Sequence, residues 1–305
     1  SSCVWFHCAS LGEFEQGRPL IEAYRKLHPD EYLVLTFFSP SGYEVRKDYS
    51  GVDAVFYLPL DTYTNACRFL DILRPKKVFF IKYEYWFNLL RVCHERAIPV
   101  YLISSIFRER QWFFRPWAKS FLQELKRVNH FFVQDRHSEK WLNQHGIIAV
   151  TVSGDTRFDR VMATAAADFT QDKITAWATG RTTIVAGSTW AADEEILLTA
   201  MGTALRTHSL ILVPHEVNAD HVKTIAGKLH QLGLADESVF FSSLQGAIPE
   251  RCRILILDKI GLLSGLYRFG KMAYVGGGFG AGIHNTLEAA VYGIPVVFGP
   301  NYGAF

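Results

Sequence analysis

Short apolar segments alternate with helical patterns along the whole chain. In the first half, buried strands are predicted at 4–8, 33–37, 54–58, 78–81, 100–103 and 131–133. Between the first two, apolar residues recur at helical spacing, and similar patterns follow near 63–73, 86–96 and 137–144. Strands that alternate with helices predict a parallel sheet with helices on both faces.

The second half repeats this scheme, with strands predicted at 184–186, 210–213, 239–241, 254–257, 273–275 and 296–298. At 305 residues the chain is twice the ~150 of an ordinary domain. Near 154–169 a strand ends and an alanine-rich stretch with little periodicity begins. We therefore predict two doubly wound, Rossmann-like α/β domains, 1–157 and 158–305, that face each other across a cleft. Ligands should bind beyond the carboxyl ends of the strands.

Composition excludes several classes of protein. Apolar residues make up 49% of the chain, which excludes a disordered or fibrous protein. A net charge of +2 gives no support for general nucleic-acid binding. Five scattered cysteines without a C-x-x-C pair predict reduced thiols in a cytosolic protein. The apolar segments are shorter than the ~20 residues of a spanning helix, and we expect a chain that is truncated at both ends.

Residues 275–290 form a glycine-rich segment, Val-Gly-Gly-Gly-Phe-Gly-Ala-Gly-Ile-His-Asn-Thr-Leu-Glu-Ala-Ala. Glycines after a strand let backbone amides approach an anion, and a helix that begins near His284 or Asn285 would point its positive end there. This predicts a phosphate site. Asn285-x-x-Glu288 also fits a capping box, so a purely structural role for both residues stays open.

Other motifs give weaker signals. Glu13, in the loop after the first strand, is either a general base or a first-turn glutamate that favours the helix dipole. His215-Glu216 and His221 lack the spacing of a zinc motif, and no nucleophile elbow or Walker loop occurs. We expect no metal and no cofactor.

A basic and aromatic segment covers 106–127. Its six basic and two acidic side chains give a local charge of +4, interleaved with tryptophan and phenylalanine. This mixture suits a membrane surface or an anionic lipid, although an amphipathic helix with a core-facing aromatic side is the alternative. The candidate acceptor or membrane contacts are Arg108, Arg110, Trp112, Phe113 and Arg115.

Seven motifs occur in a fixed order: His7-x-x-Ser10-x-Gly12-Glu13, Ser39-Pro40-Ser41-Gly42, Tyr57-Leu58-Pro59-Leu60-Asp61, Glu84-Tyr85-Trp86-x-Asn88, Gly154-x-x-Arg157-Phe158-Asp159, Gly187-Ser188-Thr189, and Gly277-Gly278 to His284-Asn285-x-Leu287-Glu288-Ala289-Ala290. Together, from residue 5 to residue 300, they resemble the Kdo (3-deoxy-D-manno-octulosonic acid) transferases of lipopolysaccharide biosynthesis.

The resemblance implies a glycosyltransferase B fold. It also implies an inverting, metal-independent transfer of Kdo from CMP-Kdo to the glucosamine disaccharide of a lipid A precursor. Glu13 matches the family's proton acceptor, and Arg157 matches a basic residue that stabilises negative charge in the transition state. Glu84, beside the acceptor, is the third candidate catalytic residue.

The same resemblance implies a CMP site in the second domain. Glu288 would accept hydrogen bonds from the ribose hydroxyls. The CMP-binding candidates are Pro214, His215, Ile260, Gly261, Leu262, Asn285, Thr286, Leu287 and Glu288. The phosphate-loop candidates are Ser188, Gly277, Gly278 and His284.

Three positions depart from the family pattern. Lys82 and Leu262 stand where glutamates are common, and His215 stands where arginine is common, so a titratable ring replaces a fixed cation. We expect a monomer at the cytoplasmic face of the inner membrane. The family's amino-terminal anchor and carboxyl-terminal crossing helix are not expected within this sequence.

Two alternatives remain open. Another nucleotide-sugar glycosyltransferase or an epimerase of the same fold would keep the phosphate loop without needing Glu13, and would prefer UDP to CMP. A non-catalytic module that binds anionic lipid would need segment 106–127 but no nucleotide site.

Overall fold

The computed structural model describes residues 2–259 and 261–303. They divide into two compact units, the first ending at Arg160 and the second beginning at Val161. This division lies a few residues beyond the boundary predicted after residue 157.

The first unit contains a seven-stranded parallel sheet in the order β3-β2-β1-β4-β5-β6-β7. The elements of this unit are β1 (Cys3–His7), α1 (Leu11–Leu27), β2 (Leu33–Phe37), α2 (Pro40–Arg46), β3 (Ala54–Tyr57), α3 (Tyr63–Leu73), β4 (Pro75–Ile81), α4 (Phe87–Glu95), β5 (Val100–Ser105), α5 (Lys119–Leu125), β6 (His130–Val133), α6 (Arg136–Gln144), β7 (Val150–Val152) and the start of α7 (Thr156–Ala166). Two short 3-10 turns, Trp112–Phe114 and Pro116–Ala118, precede α5.

The second unit contains a six-stranded parallel sheet in the order β10-β11-β9-β8-β12-β13. Its elements after α7 are α8 (Asp172–Ala178), β8 (Thr183–Thr189), α9 (Ala191–Gly202), β9 (Ser209–Pro214), α10 (Ala219–Gln231), β10 (Ser238–Phe240), β11 (Ile254–Ile256), α11 (Leu263–Leu266), β12 (Gly270–Val275), α12 (Leu287–Ala290) and β13 (Val296–Phe298).

Both sheets are covered on their two faces. Every residue of β1, β2 and β9 is buried, which is why these strands read as continuous apolar runs instead of alternating patterns. Each sheet separates two clusters of buried apolar side chains. The predicted pair of doubly wound α/β domains is confirmed.

Each sheet has one point at which the strand order reverses. In the first unit this switch point lies between β1 and β4, and in the second between β8 and β12. Loops at the carboxyl ends of such strand pairs are where doubly wound sheets bind ligands.

Helix positions differ from the sequence predictions in three places. The alanine-rich stretch near 160 is the helix α7, and 106–127 contains 3-10 turns and a short helix rather than one amphipathic helix. The helix expected to begin near His284 begins instead at Leu287 and has four residues. Across the described residues, we find no helix whose length and apolar character would let it cross a bilayer.

Candidate functional site

Glu13 lies in the first turn of α1, directly after the carboxyl end of β1. The Ser10 hydroxyl donates a hydrogen bond to Glu13 Oε2, and Phe14 N donates to the Ser10 carbonyl oxygen at 3.0 Å. The side chain is partly exposed. Its place in the first turn of α1 suits both the base and the helix-dipole interpretation.

Arg157 lies at the start of α7 and is exposed. Its Nε and Nη2 donate to Asp155 Oδ2 at 2.7 and 2.6 Å, and its backbone N donates to Asp155 Oδ1 at 2.9 Å. Gly154, with φ +82°, turns the chain between β7 and this pair. The candidate transition-state cation therefore has a carboxylate partner in this structure.

Glu15 joins α1 to two other helices. Its Oε1 accepts a hydrogen bond from Arg46 Nη2 at 2.8 Å, and its Oε2 forms an ion pair with Arg160. Sequence reasoning missed this residue, because its partners are far away along the chain and no local spacing indicates them. The pair with Arg160 joins α7 to α1, and the pair with Arg46 joins α2 to α1.

Glu84, the third candidate catalytic residue, is the most buried of the three. It is only 6% exposed, and His7 Nε2 lies 3.1 Å from its Oε2, which also accepts from Trp86 Nε1. Two residues earlier, Lys82 has φ +71°, and its carbonyl oxygen accepts from Ser105 Oγ at 3.1 Å. Glu84 is thus held at the first switch point by side chains that sequence reasoning assigned no role.

The glycine-rich loop follows β12 at the second switch point. A Cβ on Gly276 would lie 2.2 Å from the Ser188 carbonyl oxygen, and one on Gly278 would lie 2.6 Å from Gly299 Cα. The Gly277 amide, predicted to face a phosphate, instead donates to the buried Asp193 carboxylate at 2.9 Å. Packing of backbone against backbone therefore explains these glycines.

Asn285 and Glu288 bond to each other just before α12, but not in the reciprocal pattern of a capping box, and the N-cap residue is Thr286. Asn285 Oδ1 accepts from Leu287 N at 3.0 Å, and Asn285 Nδ2 donates to Glu288 Oε1 at 3.1 Å. The Ser264 hydroxyl donates to Glu288 Oε2. Because α12 is a single turn, a helix dipole aimed at a phosphate is not part of this loop, and the original expectation was wrong on this point.

Three aromatic rings stack beside the loop. His215 lies between Trp190 and His284, with centroid distances of 4.6 and 4.4 Å. Trp190 Nε1 donates to His284 Nε2 at 3.0 Å. Burial, and then the neighbouring His215, lower the pKa of His284 below its usual value, so this ring is neutral and carries its proton on Nδ1. His215 is exposed.

The remaining CMP-binding candidates lie in different environments. Pro214 is buried as the last residue of β9, and Gly261 is exposed with φ +94°. Leu262 lines a cavity of about 540 Å³ with Phe241 and Lys259. Thr286 and Leu287 are half-buried, whereas Ile260 lies outside the described residues. Within residues 2–259 and 261–303 there is no cluster of three or more metal-ligand side chains.

The basic and aromatic segment is partly a surface. Trp112 and Trp117 are 43% and 71% exposed, and their rings lie parallel with centroids 5.8 Å apart. Arg108, Arg110 and Arg115 are exposed. Phe113 is only 3% exposed, so its prediction as an acceptor or membrane contact was wrong: its ring belongs to the core of the first unit.

Sequence comparison relates the chain to a known family of proteins. Residues 1–160 match the family model described as 3-deoxy-D-manno-octulosonic-acid transferase (kdotransferase). The 3-deoxy-D-manno-octulosonic acid transferase of Aquifex aeolicus is 28% identical over 97% of this chain and 76% of its own length. That of Chlamydia trachomatis serovar A is 30% identical over 97% of this chain and 70% of its own.

A solved structure shows the same fold at low identity. UDP-GlcNAc 2-epimerase from Methanocaldococcus jannaschii superposes with a TM-score of 0.57 and 14% identity, covering 97% of this chain and 82% of that one. Such a likeness supports the two-domain fold and carries no information about the reaction. On its sequence relatives and its matching family model, the chain belongs to the Kdo transferase family.

Proposed function

We propose that this protein transfers Kdo from CMP-Kdo to the glucosamine disaccharide of a lipid A precursor, with inversion of the anomeric centre. Family membership supports the reaction. The observation that carries the proposal is Glu13, a partly exposed carboxylate beyond β1 at the switch point of the first sheet. An inverting displacement needs one base, and this side chain has the position and the chemistry of one.

Glu13 takes the proton of the acceptor hydroxyl as that oxygen attacks the anomeric carbon of Kdo. The bond between this carbon and the phosphate oxygen breaks, and CMP leaves with the electron pair. Before the reaction, the Ser10 hydroxyl donates a hydrogen bond to this carboxylate and holds it at the amino end of α1.

The second unit would bind the donor. Its switch point offers hydrogen-bond donors for an anionic group, namely the Ser188 hydroxyl, the His215 ring and the Nδ1–H of His284. The Gly277 amide already donates to Asp193. We therefore assign these side chains, rather than that amide, to the CMP phosphate. Glu288 and Asn285 would reach the ribose by exchanging their mutual hydrogen bond for the sugar hydroxyls.

Arg157 would act as half of an ion pair. Asp155 fixes two of its nitrogens, which orients the guanidinium but offsets its charge. We therefore propose that Arg157 stabilises the developing negative charge through its remaining N–H donors. We expect its contribution to the rate to be smaller than that of an unpaired arginine.

The exposed Trp112 and Trp117, with Arg108, Arg110 and Arg115, would contact the membrane and the acceptor. Aromatic rings favour the headgroup region, and arginines pair with phosphates. We further propose that the protein works as a monomer at the cytoplasmic face of the inner membrane, with this surface on the lipid.

Release of CMP from CMP-Kdo in the presence of a lipid A precursor tests the reaction. Glu13→Gln should lower kcat about 100-fold or more, because the base is lost while the size of the side chain is kept. Glu22→Gln is the matched control, since Glu22 is an exposed glutamate on the same helix that pairs with Arg18. Calorimetry should show unchanged CMP binding in both variants, and full activity in Glu13→Gln would disprove the base assignment.

Sedimentation with vesicles of phosphatidylglycerol and phosphatidylcholine tests the membrane surface. A Trp112→Ser, Trp117→Ser double variant should bind several-fold more weakly than the parent, whereas Ile72→Ser, at an 84% exposed apolar residue of α3, should bind normally. Equal binding by all three proteins would show that this surface does not contact lipid.

A further inference from the structure

His7 is a fully buried polar residue at the carboxyl end of β1. Its Nδ1 lies 2.8 Å from Thr36 Oγ1 and 3.1 Å from the Thr36 carbonyl oxygen, and its Nε2 lies 3.1 Å from Glu84 Oε2. Buried polar groups are expensive unless paired. Both ring nitrogens of His7 have partners, so the residue is built into a network and not merely tolerated in the core.

The hydrogen bonds of this network can run in one direction. Trp5 Nε1 can only donate, and it reaches Thr36 Oγ1 at 2.8 Å. The Thr36 hydroxyl can then donate to His7 Nδ1, which leaves the His7 proton on Nε2, facing the Glu84 carboxylate. Trp86 Nε1 donates to the same carboxylate oxygen. Every hydrogen-bond donor in this network, which leads from the Trp5 ring to the Glu84 carboxylate, is thus used once.

The backbone is strained where it brings Glu84 to this network. Lys82, directly after β4, has φ +71°, and Ser104, at the end of the neighbouring β5, has φ +54°. Non-glycine residues in this conformation are strained and persist where the surroundings impose them. The network joins β1 to β4, the two strands that flank the switch point, which is also where Glu13 lies.

Both donors reach the same oxygen of Glu84. Among the described residues, Oε1 receives no hydrogen bond, and it is not among the carboxylate oxygens sealed from solvent without a partner. A carboxylate that is fixed through one oxygen and free at the other can accept a hydrogen bond from a sugar hydroxyl. This arrangement is therefore suited to orienting a ligand that carries several hydroxyl groups.

We propose that His7 is a positioning residue that fixes Glu84 so that Glu84 Oε1 binds a hydroxyl group of the sugar acceptor. This inference rests on the proposed transferase function and adds a specific acceptor contact to it. His7 itself touches no substrate and acts through Glu84.

Steady-state kinetics with the full chain tests this role. His7→Phe removes the donor to Glu84 and should raise the KM for the lipid A precursor about tenfold, while the KM for CMP-Kdo stays within about twofold. His7→Gln should restore most of the acceptor KM, because the Gln amide can donate from nearly the same place as Nε2. His130→Phe, at a histidine of β6 in the same sheet that bonds to Thr151, is the matched control.

Glu84→Gln serves as the second variant in case His7→Phe does not fold. It keeps the side-chain size and should also raise the acceptor KM selectively. Equal changes in the two KM values, or an unchanged acceptor KM in both variants, would overturn the proposal. If the parent protein releases no CMP at all, the transferase function has failed, whereas an active parent with unaffected variants contradicts only the role of His7.

Discussion

Asp193 accepts a hydrogen bond from the Gly277 amide at 2.9 Å and so attaches the glycine-rich loop to the first turn of α9. The same carboxylate accepts from Trp190 N at 2.9 Å and from the Tyr274 hydroxyl at 2.6 Å. It is 1% exposed. A buried carboxylate, rather than a bound anion, therefore determines the path of this loop.

Asp193→Asn should destabilise the second unit by about 2 kcal/mol or more. The side-chain NH2 group of the new asparagine would face at least one of the three donors, and that buried donor would lose its acceptor. Urea unfolding measures the change. Asp220→Asn, at a 98% exposed side chain on α10, should change stability little, and equal effects of the two substitutions would contradict this account.

Gly276→Ala should lower the free energy of unfolding by about 2 kcal/mol or more, because its Cβ would lie 2.2 Å from the Ser188 carbonyl oxygen and a backbone atom cannot move aside easily. Gly227→Ala is the matched control. Gly227 is exposed within α10, and a Cβ added there would have no atom within 4 Å, so at this position alanine should add about 1 kcal/mol through helix propensity. The opposite order of the two variants would be incompatible with close packing at Gly276.

Acidification should weaken the second unit through His284. Its pKa is lowered in the folded protein, chiefly by burial and then by His215, while Asp193 acts in the opposite direction. The unfolded chain therefore binds more protons than the folded one below the ordinary histidine value of 6.5, and stability falls as the pH falls through that region. Urea unfolding at pH 7.5 and pH 5.5 should show a larger loss for the parent than for His284→Asn. Identical losses would show that His284 does not contribute.

Thiol reagents should label Cys67 first in the native protein. Burial raises the pKa of Cys3 to about 11 and that of Cys93 to about 12, and it raises the pKa of Cys8 well above its usual value. Cys252 is also buried, whereas Cys67 is half-buried. Since the thiolate is the reactive form, Cys67→Ser should remove the fast phase of labelling, and guanidinium should expose every thiol. A fast phase that survives in Cys67→Ser would be evidence against this burial pattern.

Most of the fold was predictable from the sequence because buried parallel strands are apolar throughout. The predicted strand at 33–37 coincides with β2, which is buried at every residue. The predicted strand at 296–298 coincides with β13, which is apolar although two of its three residues are exposed. The helix at 287 was predicted too early because Asn285 and Glu288 carry the residue types of a capping box, whereas in the structure Asn285 lies one residue before the N-cap residue Thr286, and its side chain accepts from Leu287 N. Local sequence could not distinguish a cap at the helix start from one just before it.

The candidate site was less predictable. Glu13 and Arg157 were identified through motifs, and the Asp155 partner of Arg157 lies only two residues before it, but the His7 partner of Glu84 depends on a tertiary contact. His7 and Glu84 are 77 residues apart, and the strained turn at Lys82 that brings them together has no sequence signature. Likewise the glycines at 276 and 278 suggested ligand approach, whereas the groups that approach are Ser188 and Gly299.

The double ion pair of Glu15 affects how the protein can be dissected. A gene fragment for the first unit that stopped at Arg157 would encode Arg46 but not Arg160, leaving Glu15 with one of its two cationic partners. A fragment that continues through Arg160 retains both. The coding sequence for an independently expressed first unit is therefore better cut after Arg160 than before it.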